Sequence, residues 1–139
     1  MATPSLTRTK VTVIVISIAV LISAITWFVL APQRMSSDLS RVGDGLPTVV
    51  LTYENYSPAS MDAIERLNRV RSDFDEQVEF VVADVGTAAG DEFAREWQTR
   101  SGVISLFAAD GEHLGNGHVP EDEGALRDRI ERELLARSD

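Results

Sequence analysis

The chain has 139 residues, a formal net charge of −9 and no cysteine. A chain of this length holds one domain of ordinary size. The missing thiols exclude disulfides, thiolate metal sites and thiol redox chemistry, and the acidic balance excludes a nucleic-acid partner, because a negative surface repels phosphate.

Residues 1–10 read as a short tail with two basic residues, Arg8 and Lys10. From Val11 to Ala31 no residue is charged (VTVIVISIAVLISAITWFVLA). At about 1.5 Å per residue a helix over 11–31 rises roughly 30 Å, the thickness of a bilayer's hydrocarbon core. The expectation is one N-terminal transmembrane helix in contact with the lipid bilayer. The apolar run exceeds the roughly 7–15 residues of a signal-peptide core. Trp27, near its end, would act as a membrane anchor at the headgroup level. The basic tail then places the N-terminus in the cytoplasm and the C-terminal domain outside it, in the periplasm.

Residues 32–46 (PQRMSSDLSRVGDGL) are polar and turn-rich and read as a linker, leaving 47–139 as the domain. Thr48–Tyr53 is a β-branched, apolar strand. Ser57 followed by Pro58 predicts a helix start, a capping hydroxyl with proline at the first helical position. Met61, Ile64, Leu67 and Val70 then recur at helical spacing as far as about Phe74, with Asp62–Arg66 and Glu65–Arg69 as outward pairs. Val78–Val85 reads as a buried strand and Gly90–Thr99 as a shorter helix carrying Phe93 and Trp97. Val103–Ala108, the turn Ala109-Asp110-Gly111 and Glu112–Val119 form a hairpin. Pro120 and Asp122 open a last helix with the apolar stripe Leu126, Ile130, Leu134 and the outward pairs Glu123–Arg127, Asp128–Arg132 and Glu133–Arg137. The order β-α-β-α-β-β-α predicts an α/β fold, a mixed four-stranded sheet with helices on both faces.

This order, with a strand leading straight into a Pro-containing helix start, resembles the thioredoxin fold over about residues 47–137. Tyr56-Ser57-Pro58-Ala59-Ser60 is similar to the segment in which thioredoxins carry an aromatic residue followed by Cys-x-x-Cys. Phe107 and the Ala109-Asp110-Gly111 turn resemble the family's hairpin. The resemblance implies a face, built from Tyr56 to Ser60 and the Gly102–Val103 loop, that holds extended polypeptide. It breaks where the family's chemistry resides. The two cysteine positions fall on Ser57 and Ser60, whose hydroxyls supply no thiolate. The position of the buried acid falls on Leu51, and no proline lies near Gly102 or Val103, where the family has its cis-proline.

Other chemistry is not encoded. Ser57 or Ser60 as a nucleophile would need an adjacent base, and the two histidines, His113 and His118, sit in the distant hairpin. Two histidines that point to opposite faces of a strand do not make a metal site. The acidic runs Asp73-Asp75-Glu76 and Glu121-Asp122-Glu123 lack calcium-loop spacing. No cofactor and no metal is expected. The sequence thus points to a non-catalytic, membrane-tethered, thioredoxin-like interaction module. Its expected role is an accessory, assembly or scaffold subunit of a membrane protein complex, with Tyr56, Ser57, Pro58, Ala59, Ser60, Gly102 and Val103 meeting the partner. Two alternatives stand beside it. One is a thiol-disulfide oxidoreductase of extracytoplasmic protein or cytochrome maturation whose cysteines have been replaced by serine. The other is a structural single-helix subunit whose domain merely covers a larger complex.

Overall fold

The structure is a computed structural model and describes residues 5–30 and 34–137, with side chains described for 10–26 and 34–137. It divides into two units, Met1–Arg34 and Met35–Asp139. The first contains one helix, α1 (Ser5–Leu30). It corrects the expectation of a transmembrane helix over 11–31: among the described residues no helix is long and apolar enough to cross a membrane. The helix takes Arg8 and Lys10 into its N-terminal turns. The Trp27 side chain, the expected interfacial anchor, and Ala31 lie outside the described residues.

The second unit is a four-stranded sheet in the order β2-β1-β3-β4. Its strands are β1 (Thr48–Tyr53), β2 (Glu79–Asp84), β3 (Val103–Phe107) and β4 (His113–His118). β1 runs parallel to β2, with Val50 opposite Val81, and antiparallel to β3, with Val50 opposite Ser105; β3 and β4 form the antiparallel hairpin. Helices α2 (Pro58–Val70), α3 (Ala88–Glu96) and α4 (Glu123–Ile130) complete the expected order, a short 3₁₀ turn (Arg71–Phe74) extending α2 and a π turn (Glu131–Leu135) extending α4. Each helix starts where a short polar side chain accepts a hydrogen bond from a backbone N–H three residues on: Ser57 from Ser60, Thr87 from Gly90 and Asp122 from Ala125.

Because successive strand residues face opposite ways, β1 supplies two cores. Val49 and Leu51 join Ile104, Leu106 and Phe80 beneath α2 and α4; Val50 joins Val81, Ala83 and Phe107 beneath α3. The stripe Leu126, Ile130 and Leu134 is buried as expected. Of the expected α2 stripe, Leu67 and Val70 are buried and Ile64 packs against the core, whereas Met61 is 56% exposed and the small Ser60 and Ala63 are buried at the helix's first turns.

The ion pairs also depart from expectation. Glu65–Arg69 and Glu123–Arg127 form, but Arg69 also reaches Glu123 at 2.6 Å and Arg127 reaches Asp73. These arginines therefore tie α4 to α2 and its extension. Arg129 pairs with Glu133 at 3.1 Å and donates to the His118 carbonyl at 3.0 Å.

The stretch expected to be a linker lies on the sheet from Met35 onward. Ser36 bridges Val81 on the outer edge of β2, and its carbonyl accepts the Val82 N–H at 2.8 Å. A 3₁₀ turn (Leu39–Arg41) follows, with Asp38 as its cap. Hydrogen bonds from Ser40, its hydroxyl first and its backbone N–H second, hold the Asp38 carboxyl below its ordinary pKa. Leu39 and Val42 pack against the α3-side core and Met35 against the other. Gly43, at φ +84°, allows the chain to run against the hairpin turn; a Cβ there would lie 3.1 Å from the Cα of Gly111.

Two packing details give measurable expectations. Gly90 opens the first turn of α3 against β2, and a Cβ on it would lie 1.9 Å from the Asp84 carbonyl oxygen. Alanine ordinarily stabilises a helix by about 1 kcal/mol relative to glycine. Overpacking against backbone costs about 1–3 kcal/mol and wins here. Gly90→Ala is therefore expected to lower the midpoint of thermal unfolding by on the order of 10 °C, read by circular dichroism; an unchanged or raised midpoint would contradict the contact. The hydroxyl of Ser105, at the centre of β3, is buried and has no hydrogen-bond partner among the described residues. An unmet buried hydroxyl costs about 1–3 kcal/mol. Ser105→Ala is expected to raise stability by about 1 kcal/mol in urea unfolding, and a loss of stability would show that the hydroxyl has a partner.

Candidate functional site

At the C-terminal end of β1 the chain turns outward through Glu54, Asn55 and Tyr56 before α2 begins. Tyr56 adopts φ +68°, a left-handed conformation in which a Cβ crowds the following carbonyl at a cost of roughly 1–2 kcal/mol. Its ring is 97% exposed. Nothing in the fold therefore rewards a tyrosine here, and a glycine would relieve the turn.

The next residues converge on a third serine. Ser101 donates to the Ser57 hydroxyl at 2.6 Å, and the Ser60 and Ser101 hydroxyls share a hydrogen bond of 2.7 Å. Each hydroxyl has one proton. Since Ser101 gives its own to Ser57, Ser60 is the donor in the second bond. Ser60 in turn accepts the Glu54 N–H at 3.0 Å, and Ser57 accepts the Ser60 N–H at 3.4 Å as the cap of α2. The result is a directed chain from Glu54 N–H through Ser60 and Ser101 to Ser57. It ties the outward turn, the first turn of α2 and the loop before β3 together. Ser60 is fully buried and satisfied, while Ser57 and Ser101 are half-buried.

Gly102 completes the junction. It sits at φ +80°, and a Cβ on it would lie 3.0 Å from the Cβ of Ala59. Its N–H donates to the Thr52 carbonyl at 2.9 Å, and the Thr52 hydroxyl donates to that of Thr99 at 3.1 Å. Of the residues expected at the face, Ser57, Ala59, Ser60 and Gly102 are thus brought together, with Tyr56 and Pro58 exposed beside them. Val103 is buried, and its side of the loop borders a separate groove with Gln98, Arg100 and Asn116. The Leu51 position is likewise apolar core.

An open groove of about 480 Å³ runs from Ala59 and Gly102 along Asp62 and Arg66 to His118, Val119 and Pro120. Ser101 was not singled out in the sequence, and His118, Val119 and Pro120 were read there only as parts of the hairpin and the last helix start. Ser101 had one available signal, its place beside the glycine that occupies the loop position of the resemblance. No histidine or carboxylate side chain bonds to the three serines. A hydroxyl without a base is a poor nucleophile, so this cluster holds the backbone and offers no route to acyl transfer. Among the described residues no group of three or more His, Cys, Asp or Glu side chains could hold a metal ion.

No protein-family model matches the chain, and no curated protein matches it either. Solved structures do. The chain is similar to the thioredoxin of Fasciola hepatica, with a TM-score of 0.54 and 21% identity over 66% of this chain and 84% of that one. It is similar to an uncharacterized thioredoxin-like protein from Clostridium perfringens, with a TM-score of 0.60 and 9% identity over 71% and 79% of the two chains. It is also similar to Trxlp from Edwardsiella tarda, with a TM-score of 0.50 and 14% identity over 68% and 93%. At these identities the likeness defines the fold: a thioredoxin-like α/β domain with a mixed four-stranded sheet. A chain of that fold with no cysteine cannot carry out dithiol–disulfide exchange.

The hydroxyl chain predicts coupled energetics. Ser57→Ala and Ser101→Ala are each expected to cost about 1 kcal/mol, the usual net worth of a hydrogen bond. In a double-mutant cycle the two are expected to couple by at least about 0.5 kcal/mol. Additive losses in urea unfolding would mean that the 2.6 Å bond contributes nothing.

Proposed function

We propose that this protein is a non-catalytic thioredoxin-like interaction module, an accessory, assembly or scaffold subunit of a larger protein complex. Its contact is the face formed by Tyr56 to Ser60 and Gly102, with the adjoining groove taking an extended segment of the partner. The carrying observation is Tyr56, a large aromatic ring that is 97% exposed on strained backbone. A residue that costs folding energy and buries nothing is explained by what it meets outside the domain, and aromatic rings are enriched among the residues that dominate protein–protein contacts. The serine chain supports the same assignment. All three hydroxyls take part in one hydrogen-bond chain that fixes the face, so Ser57 and Ser60 fit their surroundings as serines rather than as stand-ins for cysteine.

The test separates folding from binding in one residue. Tyr56→Gly is expected to raise the thermal midpoint by a few degrees, by relief of roughly 1 kcal/mol of backbone strain. The same variant is expected to abolish recovery of a stoichiometric protein partner when the tagged full chain is gently extracted from its native source and the eluate identified by mass spectrometry. A wild-type chain recovered alone as a monomer, or a partner retained by Tyr56→Gly, would overturn the assignment.

A further inference from the structure

Across the sheet from α2 lies a second surface that no part of the proposed face uses. Ala89, Phe93 and Trp97, one stripe of α3 and its last turn, line an open groove of about 330 Å³ against Leu39 and Val42. Phe93 is buried and Trp97 half-buried, their ring centroids 6.4 Å apart. Trp97 is braced from behind. Phe107 meets it edge-on at 5.2 Å, His113 lies 4.8 Å away, and Asn116, itself bonded to the His113 ring, donates to the Trp97 carbonyl at 2.8 Å. The indole is therefore a fixed aromatic wall of the groove.

Glu92 and Glu96 form the rim. They stand one turn apart on the same helix, an arrangement of like charges that weakens a helix. Both are exposed, and neither has a hydrogen bond or ion pair among the described residues. Asp91 on the same helix pairs with Arg95 at 2.6 Å, while nearby Glu79 pairs with Arg41 and Asp38 caps its turn through Ser40.

We propose that this groove docks a partner polypeptide through an arginine or lysine side chain. The aliphatic stem lies along Leu39, Val42 and Phe93. The cation sits against the Trp97 ring within reach of Glu92 and Glu96. Such a side chain supplies both halves of what the groove presents, an apolar stem for its walls and a positive charge for its rim and indole face. The size agrees, since about 330 Å³ is at the low end of ligand pockets and accommodates one long side chain rather than a packed helix. The net charge of −9 draws a basic partner from a distance.

Titration of the full chain with hexa-arginine amide, followed by ¹H–¹⁵N spectra, tests this. The expected result is a saturable shift of the Trp97 indole N–H together with the backbone amides of 39–42 and 89–97. The double variant Glu92→Gln/Glu96→Gln is expected to weaken binding by at least about tenfold without lowering the thermal midpoint, and Trp97→Phe to weaken it as well. Hexa-glutamate is expected to shift nothing. A Trp97 resonance that does not move would overturn the proposal. So would unsaturated shifts spread over the whole acidic surface and unchanged in the double variant, which would mark general attraction to a negative chain. Shifts of the same residues on raising protein concentration without peptide would place a second copy in the groove and overturn the choice of partner.

Discussion

Strand β1 is paired on both edges, along its whole length in parallel with β2 and from Thr48 to Leu51 antiparallel with β3, and both of its faces are covered. A strand in that position has no solvated side and no free ladder, so each of its residues from Thr48 to Thr52 must fit a buried environment. The rest of the domain is arranged by this constraint. The parallel neighbour requires a crossover, which is α2; the antiparallel neighbour brings the loop before β3 back to the same end of the sheet. The outward turn after β1, the start of α2 and the loop at Ser101–Gly102 therefore meet at one point because β1 is central. The candidate face is where two connections of a single strand's neighbourhood converge.

At that point three hydroxyls and a close glycine occupy the junction at the start of the crossover helix. Hydroxyls in such a chain polarise one another and hold geometry, but without a base they neither ionise nor transfer a group. What remains is a shaped edge with one exposed aromatic ring. The second groove, on the α3 side, shares no residue with it, and the sheet lies between them.

Much of the fold was legible because its boundaries are written in local chemistry. Ser57 and Asp122 cap two of the domain helices, β-branched runs mark β1 and β2, and Gly111 takes the positive φ of the hairpin turn, whereas Thr87, the cap of α3, went unread and that helix begins at Ala88 rather than Gly90. What was not legible depended on distant neighbours. The first turns of α2 approach the loop before β3 closely, which favours Ser60 and Ala63 over Met61 inside. The stretch 35–46 looks polar, but Leu39 and Val42 are enough to seat it once a sheet edge and an open core face are available. For α1, the apolar run read from the sequence gave no membrane-crossing helix among the described residues. At the face, Tyr56, Ser57 and Ser60 were found by their likeness to a known segment. Ser101 had only its place beside Gly102 to mark it, forty-one residues from Ser60 and joined to it by one hydrogen bond.

The hydroxyl chain also governs how the domain matures. A sulfur clamp is assembled by an oxidant, passes through mispaired intermediates where other thiols are present, and opens again when its surroundings turn reducing. A clamp of serines closes in the same event as the chain's own folding, needs no second reactant, and has only one partner arrangement to find. The face it fixes is complete as soon as the domain is, and it keeps one shape whatever the electron supply around it.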